Sequence, residues 1–303
     1  MLLTRRRLIA ISAVLATAPA IARANATTRF WTGQALGARA SIRIEHPGAD
    51  AIVARVMAEI DRLENVLSLY RPHSALSRLN RDGHLQDPPF ELLECLSLAD
   101  AVHRASGGRF DPTVQPLWTL WAQSAANGTR PGPADVARVR GNVGWGKVKL
   151  EAAAITLRPG MALTLNGIGQ GYVADRVAVL LDAEGLTDIL IDTGEFRALG
   201  GQPGGGGWPV RLESGERLPL RQRAVATSAP LGTTFDQGAR DGHILDPVTG
   251  MPAPANWRSV SISAPSAAIA DALATAACLM PDVESILAMN GHLKDARLEA
   301  ASM

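Results

Sequence analysis

Ala40, Ile42 and Ile44 alternate with Ser41, Arg43 and Glu45, a period of two that predicts a strand with one wet face. The period then lengthens. Ile52, Val53, Val56, Met57, Ile60, Leu63, Val66 and Leu67 recur at helical spacing behind Asp50, a residue suited to capping. A second helical stripe, Leu92, Cys95, Leu96, Ala99 and Val102, opens at Pro88-Pro89 and stops at Gly107-Gly108. Two prolines and an aspartate in Gly108–Trp118 predict a rigid, non-helical run, and residues 122–133 read as a polar loop. Beyond residue 150 the pattern shortens to strands at 154–157, 162–165, 187–191, 209–212, 224–227 and 259–263, with a glycine-rich hairpin loop at 200–207. Helices at 267–280 and 282–289 close the chain. Consecutive strands with little helix between them favour antiparallel pairing. The predicted class is α+β, a twisted antiparallel sheet with helices packed against it.

The first residues fall outside this pattern. Arg5-Arg6-Arg7 precede an apolar run, Leu8 to Ala18, too short to span a bilayer, and Ala22-Arg23-Ala24 supplies a cleavage signal. Thr4-Arg5-Arg6-Arg7-Leu8 resembles a twin-arginine export signal, so residues 1–24 read as a leader and residues 25–303 as a periplasmic product. Removing that leader takes four of the 30 basic side chains and none of the 29 acidic ones, for a net charge of −3. Such a balance carries no footprint for nucleic acid. Cys95 and Cys278 both lie in apolar helical patterns and read as buried thiols, and two cysteines with scattered histidines do not suggest a zinc site.

Candidate chemistry gathers in three stretches. Asn166-Gly167-Ile168-Gly169-Gln170-Gly171-Tyr172 joins an apolar segment to a helix through three glycines. It is either a phosphate cradle at a helix N-terminus or a tight strand-to-helix turn. Asp241-Gly242-His243-Ile244-Leu245-Asp246-Pro247 packs one histidine and two carboxylates into a short loop. Asp271 and Thr275 are four apart on a helix, so both oxygens share a face. A carboxylate, a hydroxyl and a turn carbonyl are hard ligands suited to Mg²⁺, with substrate phosphate completing the shell. Taken alone, the first two stretches read equally well as local packing or hydrogen bonding, and for Asp271 and Thr275 that plain reading is the better one.

Their order along the chain changes the balance. Leu69-Tyr70 with Ser74-x-Leu76-Ser77-x-Leu79-Asn80, then Gly108-x-Phe110-Asp111-Pro112-Thr113-Val114, the glycine turn, Ala226-Thr227-Ser228, His243-Ile244-Leu245-Asp246-Pro247-x-Thr249-Gly250-x-Pro252 and Ala270-Asp271-Ala272-Leu273-Ala274-Thr275 resemble the ApbE family of FAD:protein FMN transferases. The resemblance spans nearly the whole chain after the leader. It implies a T-fold-like domain that moves FMN from FAD, with Mg²⁺, onto a threonine or serine of a target flavoprotein and releases AMP. The implied target is a subunit of membrane-associated electron transfer, and export resembles the branch serving nitrous-oxide reductase maturation. Carried over by position, Leu36, Tyr70, Arg109, Phe110, Asp111, Asn166, Tyr172 and Leu245 would line the FAD site. Gly169, Asp271 and Thr275 would hold the metal, and His243 or Asp246 would serve as base. The family usually has Met at Leu36, Glu at Ala75, Asp at Thr164, Ala at Gly169, Lys at Gln170 and Gly at Ala229. The changes at Thr164 and Gln170 remove one charge of each sign beside the expected phosphates. Two alternatives stand beside transfer: an FAD pyrophosphatase, and a non-catalytic FAD-binding maturation protein.

Overall fold

The computed structural model describes residues 8–13, 28–36, 38–45, 48–202 and 205–303. Arg5–Arg7, the 22–24 cleavage signal and Asn25 lie outside the described residues. In chain order the elements are β1 (Leu8–Ala13), β2 (Thr28–Ala35), β3 (Ala38–Glu45), α1 (Ala49–Leu67), α2 (Ala75–Asp82), β4 (His84–Gln86) and α3 (Phe90–Ala105). Then come α4 (Gln115–Ala126), α5 (Pro133–Arg140), β5 (Lys149–Leu150), β6 (Ala154–Thr156), α6 (Gly169–Ala183), β7 (Ile189–Asp192) and β8 (Phe196–Leu199). The chain ends with β9 (Trp208–Arg211), β10 (Arg217–Leu220), β11 (Ala224–Ser228), β12 (Ser259–Ala264), α7 (Ala267–Ala277), α8 (Val283–Gly291) and β13 (Arg297–Ser302).

An open eight-stranded sheet runs β13-β12-β11-β8-β7-β1-β3-β2. Every pair in it is antiparallel except β1 with β3. This is the α+β arrangement expected from the pattern. Strand β3 forms where the alternation expects it, and the stripe in α1 is realised, with Ile52, Val53, Val56, Ile60 and Leu63 buried. The α1 cap differs: Gly48 precedes the helix without a side-chain bond, and Asp50 sits in the first turn. There its charge meets the positive end of the helix dipole. Helices α6 and α7 pack together, α7 lies against β11 and β12, and α1 and α3 cover the outer faces of this pair.

Three expectations change. Residues 162–165 form no strand, because the Asn80 side chain takes the place of a neighbour: its amide donates to the Leu163 carbonyl (2.8 Å) and its oxygen accepts from the Leu163 N–H (2.7 Å). The proline-rich run is helical. Pro112 opens a single 3₁₀ turn and Pro116 sits in the first turn of α4, where a missing N–H costs nothing. Residues 122–126 of the expected polar loop are the last residues of α4, and Pro133 opens α5. Leu8–Ala13, assigned from sequence to the leader, pairs as β1 between β3 and β7 in the full chain. A short apolar segment suits a sheet interior as well as it suits an export signal.

Candidate functional site

A cleft opens where five segments meet. Arg109–Pro112, Val114 and Trp118 form one side, and Thr164, Asn166 and Gly167 of the glycine turn form the floor. Ser228 ends β11, His243–Leu245 come from the loop, and Asp271, Thr275 and Leu279 come from α7 and the residues after it. Residues read separately from the sequence are therefore brought to one place.

Each wall has a local cause. Asp111 folds its own segment: Oδ1 accepts from the Thr113 N–H and hydroxyl (2.8 and 2.5 Å), and Oδ2 accepts from the Trp145 N–H (3.0 Å). Its carboxylate thus fixes the bend that presents Arg109 and Phe110. The glycine turn is closed by the Gly169 N–H donating to the Leu165 carbonyl (2.6 Å). The Thr164 hydroxyl accepts the Asn166 N–H (3.2 Å), so it organises the turn without a charge. A Cβ on Gly167 would stand 3.1 Å from Thr275 Oγ1 and 3.3 Å from the Phe110 ring. Glycine at 167 therefore keeps the backbone open beside the α7 hydroxyl.

On α7, Asp271 is almost fully buried, and its Oδ2 lies 3.4 Å from the Gly171 N–H. Thr275 Oγ1 is 3.4 Å from Ser228 Oγ. Among the described residues no group of three His, Cys, Asp or Glu side chains could hold a metal ion unaided. One carboxylate with hydroxyls and turn backbone fits a hard cation whose remaining ligands are phosphate oxygens and water. Mg²⁺ is the ion that such a set suits, and Asp271 and Thr275 would hold it.

In the opposite wall, the backbone N–H of His243 donates to the Thr233 carbonyl (3.0 Å), and its ring Nδ1 lies 3.0 Å from the same oxygen. A carbonyl only accepts, so Nδ1 carries the proton and Nε2 the lone pair. Asp246 does not line the cleft. Its Oδ2 pairs with Arg109 (3.1 Å) and its Oδ1 accepts from the Val248 N–H (2.9 Å). Both oxygens are engaged, Oδ2 by Arg109 and Oδ1 by Val248, which leaves His243 as the candidate base facing the cleft.

Four expected site residues lie elsewhere. Tyr172 is in the core with its hydroxyl donating to Glu94; burial and that carboxylate push its pKa up. Gly169 is buried as the first residue of α6, where its carbonyl points into the helix; the turn backbone beside Thr275 is that of Gly167. Tyr70 is 65% exposed, and the hydroxyls of Ser74 and Ser77 donate to the Ser68 carbonyl. Leu36 sits over the start of α6, its Cδ1 3.0 Å from where a Gly169 Cβ would be, with its backbone in the left-handed region at φ 48°. Gln170 is half-buried on α6 outside the lining, so it does not share the cleft with Thr164.

Thr164, Gly167, Trp118, Ser228 and Leu279 line the cleft without having been singled out as site residues. Thr164, Gly167 and Ser228 lay within or beside the recognised motifs. Trp118 carried no signal, because helix α4, which aims it, was read as non-helical.

The model of the ApbE family matches residues 36–298. An FAD:protein FMN transferase of Chlamydia pneumoniae is 32% identical over 242 residues, covering 73% of this chain and 75% of that protein. The Vibrio cholerae FAD:protein FMN transferase is 30% identical over 272 residues, covering 82% and 80%. Among solved structures, the apo flavinyl transferase ApbE of Pseudomonas stutzeri superposes with a TM-score of 0.78 at 25% identity, covering 90% of each chain. The flavin transferase ApbE of Vibrio cholerae, 23% identical with a TM-score of 0.74 over 91% of this chain and 98% of that one, shares the fold.

Proposed function

The chain belongs to the ApbE family, and we propose that its cleft moves FMN from FAD to a hydroxyl of a target protein as follows. Transfer of FMN from FAD to a protein is the activity; the acceptor atom, the metal and the compartment are the proposed parts. The carrying observation is that His243 and the Asp271–Thr275 pair face one cleft across the glycine turn.

FAD would lie with its pyrophosphate over Gly167, where the α6 N-terminus favours negative charge. Asp271 and Thr275 orient oxygens toward that position, and Mg²⁺ bound there would neutralise phosphate charge. His243 Nε2 accepts the proton of a threonine or serine hydroxyl. The hydroxyl oxygen bonds to the FMN-side phosphorus as the bond to the bridging pyrophosphate oxygen breaks. The electron pair leaves on AMP, and His243 passes its proton to solvent. Arg109, paired with Asp246, keeps the loop against the cleft.

The reading is tested by incubating the protein with FAD, Mg²⁺ and a threonine-bearing flavoprotein fragment. FMN-labelled fragment with one AMP per label supports it. Free FMN and AMP without label point to pyrophosphatase chemistry, and bound intact FAD points to a binding protein. What supports a periplasmic site of action is the Arg5-Arg6 pair and the 22–24 signal. Changing Arg5 and Arg6 to Lys should strand the precursor in the cytoplasm; undiminished export rejects the twin-arginine route.

A further inference from the structure

Helix α7 carries both metal-facing side chains, and its position along α6 is set by a residue outside the cleft. Asp175, midway along α6, accepts from the Ala267 N–H at Oδ1 (2.9 Å), and from the Ala268 N–H (3.0 Å) and the Ser266 hydroxyl (2.7 Å) at Oδ2. Arg197 of β8 pairs with Oδ1 at 3.1 Å. Ser266 Oγ in turn accepts from Ile269 N–H, and the Ala270 N–H donates to the Ser266 carbonyl. The N–H groups of the first three helical residues, which a helix start leaves unsatisfied, are thereby bonded, two of them by a carboxylate from another helix.

One turn earlier on α6, Gly171 meets the same segment. A Cβ there would stand 2.3 Å from the Ala267 carbonyl oxygen, so the two backbones touch. Along the rest of the seam α7 presents alanines, including Ala267, Ala268, Ala270 and Ala274, all buried. Apolar contacts between alanines and a glycine resist separation but give little resistance to sliding, whereas hydrogen bonds are directional. One residue of slide is about 1.5 Å, enough to displace Asp271 and Thr275 from a shared ligand.

We propose that Asp175 is a positioning residue that fixes the axial register of α7 on α6, and through it the placement of Asp271 and Thr275 toward the cation. The proposal rests on reading those two residues as metal-facing. Mn²⁺ binding to the whole protein, followed by water-proton relaxation without turnover, tests both layers. Wild type binding Mn²⁺ with Asp271→Ala losing it establishes the metal reading by itself. On that footing, Asp175→Asn weakens Mn²⁺ binding about tenfold and raises the Mg²⁺ concentration for half-maximal transfer similarly, while the rate at saturating Mg²⁺ falls less than threefold. Asp175→Glu, which keeps the carboxylate, recovers most of the affinity. Ser266→Ala removes a cap of α7 but leaves the amide bonds between helices, so it lowers the melting temperature and leaves Mn²⁺ affinity unchanged. Unchanged Mn²⁺ affinity in Asp175→Asn, or an equal loss in Ser266→Ala, overturns the register role. Should Asp175→Asn fail to fold, Arg197→Gln loosens the same carboxylate: weaker Mn²⁺ binding supports the proposal and unchanged binding overturns it.

Discussion

Across the cleft, the wall made by α6 and α7 and the wall made by the loop 241–252 hold their polar groups in different ways. The first relies on backbone proximity, with Gly171 against Ala267 and an alanine-rich seam buried throughout. The second is tied from outside by long side chains. Trp121 Nε1–H donates to the Gly250 carbonyl (3.0 Å), Arg130 pairs with Asp241 (2.6 Å), and the Arg140 guanidinium donates to the Val248 carbonyl (2.5 Å). An aromatic cluster of Trp118, Trp121 and Phe235 lies beneath the ties. A close-packed seam has no slack and fails as a unit, whereas a loop held by several separate bonds loses them one at a time. The residues proposed to face the metal sit on the first wall, and the proposed base, His243, on the second.

The comparison is broken most severely at Gly171. Gly171→Ala puts a methyl 2.3 Å from one backbone oxygen and 2.7 Å from the Ala268 nitrogen, neither of which can rotate away. The helices must part, at a cost of about 3 kcal/mol or more. Thermal unfolding should show a large drop and transfer should vanish; a near-native melting temperature refutes backbone contact as the basis of this wall. Asp271→Ala is next and acts on activity alone. Its melting temperature should stay within a few degrees while Mg²⁺-dependent FAD turnover falls at least a hundredfold. Wild-type turnover at limiting Mg²⁺ removes Asp271 from the site.

The same division governs what the sequence could reveal. On the α6–α7 wall the sequence marked the glycine turn and the Asp271–Thr275 spacing, but not that Gly171 is where the two helices meet, because its partner Ala267 lies almost a hundred residues away. Strands β3, β11 and β12 and helices α1, α3 and α7 were legible from periodicity. The loop's residues were also recognisable, yet their supports were not, because Trp121, Arg130 and Arg140 contact it from more than a hundred positions away. Pro116 concealed α4, since proline at a helix start looks locally like a breaker. Asp246 was one of two candidate bases beside His243; its two bonds, to Arg109 and Val248, tie the loop instead. The C-terminal strand β13 had too weak an alternation to be seen, and it forms through pairing with β12.

A single tie on the loop wall should have a moderate effect. Trp121→Phe keeps most of the ring's packing but deletes the N–H bond to Gly250, worth about 1 kcal/mol. Because that tie supports the loop bearing His243, kcat should fall several-fold while the Mg²⁺ dependence stays as in wild type. A changed Mg²⁺ requirement would falsify the separation of the two walls.

The smallest effect, and the most direct report on the seam, comes from a thiol. Cys278 caps the C-terminal end of α7 and is fully buried, and burial pushes its pKa up to about 12. At pH 8 only about one molecule in 10⁴ would carry the reactive thiolate, against roughly a quarter for an ordinary cysteine. Cys95 on α3, equally buried, is raised further by burial and the nearby carboxylates of Asp271 and Glu94. Native protein should therefore take up no thiol reagent over hours at pH 8, while denatured protein takes up two equivalents. Labelling then reports on whether the α7 seam has opened. Trp121→Phe should label as slowly as wild type, because Trp121 packs in a different apolar cluster from Cys278. A folded fraction of Gly171→Ala should label measurably faster, since parting α6 from α7 lets water reach the interior and relieves the desolvation that suppresses the thiolate. Equal labelling in the two variants means that the walls move together.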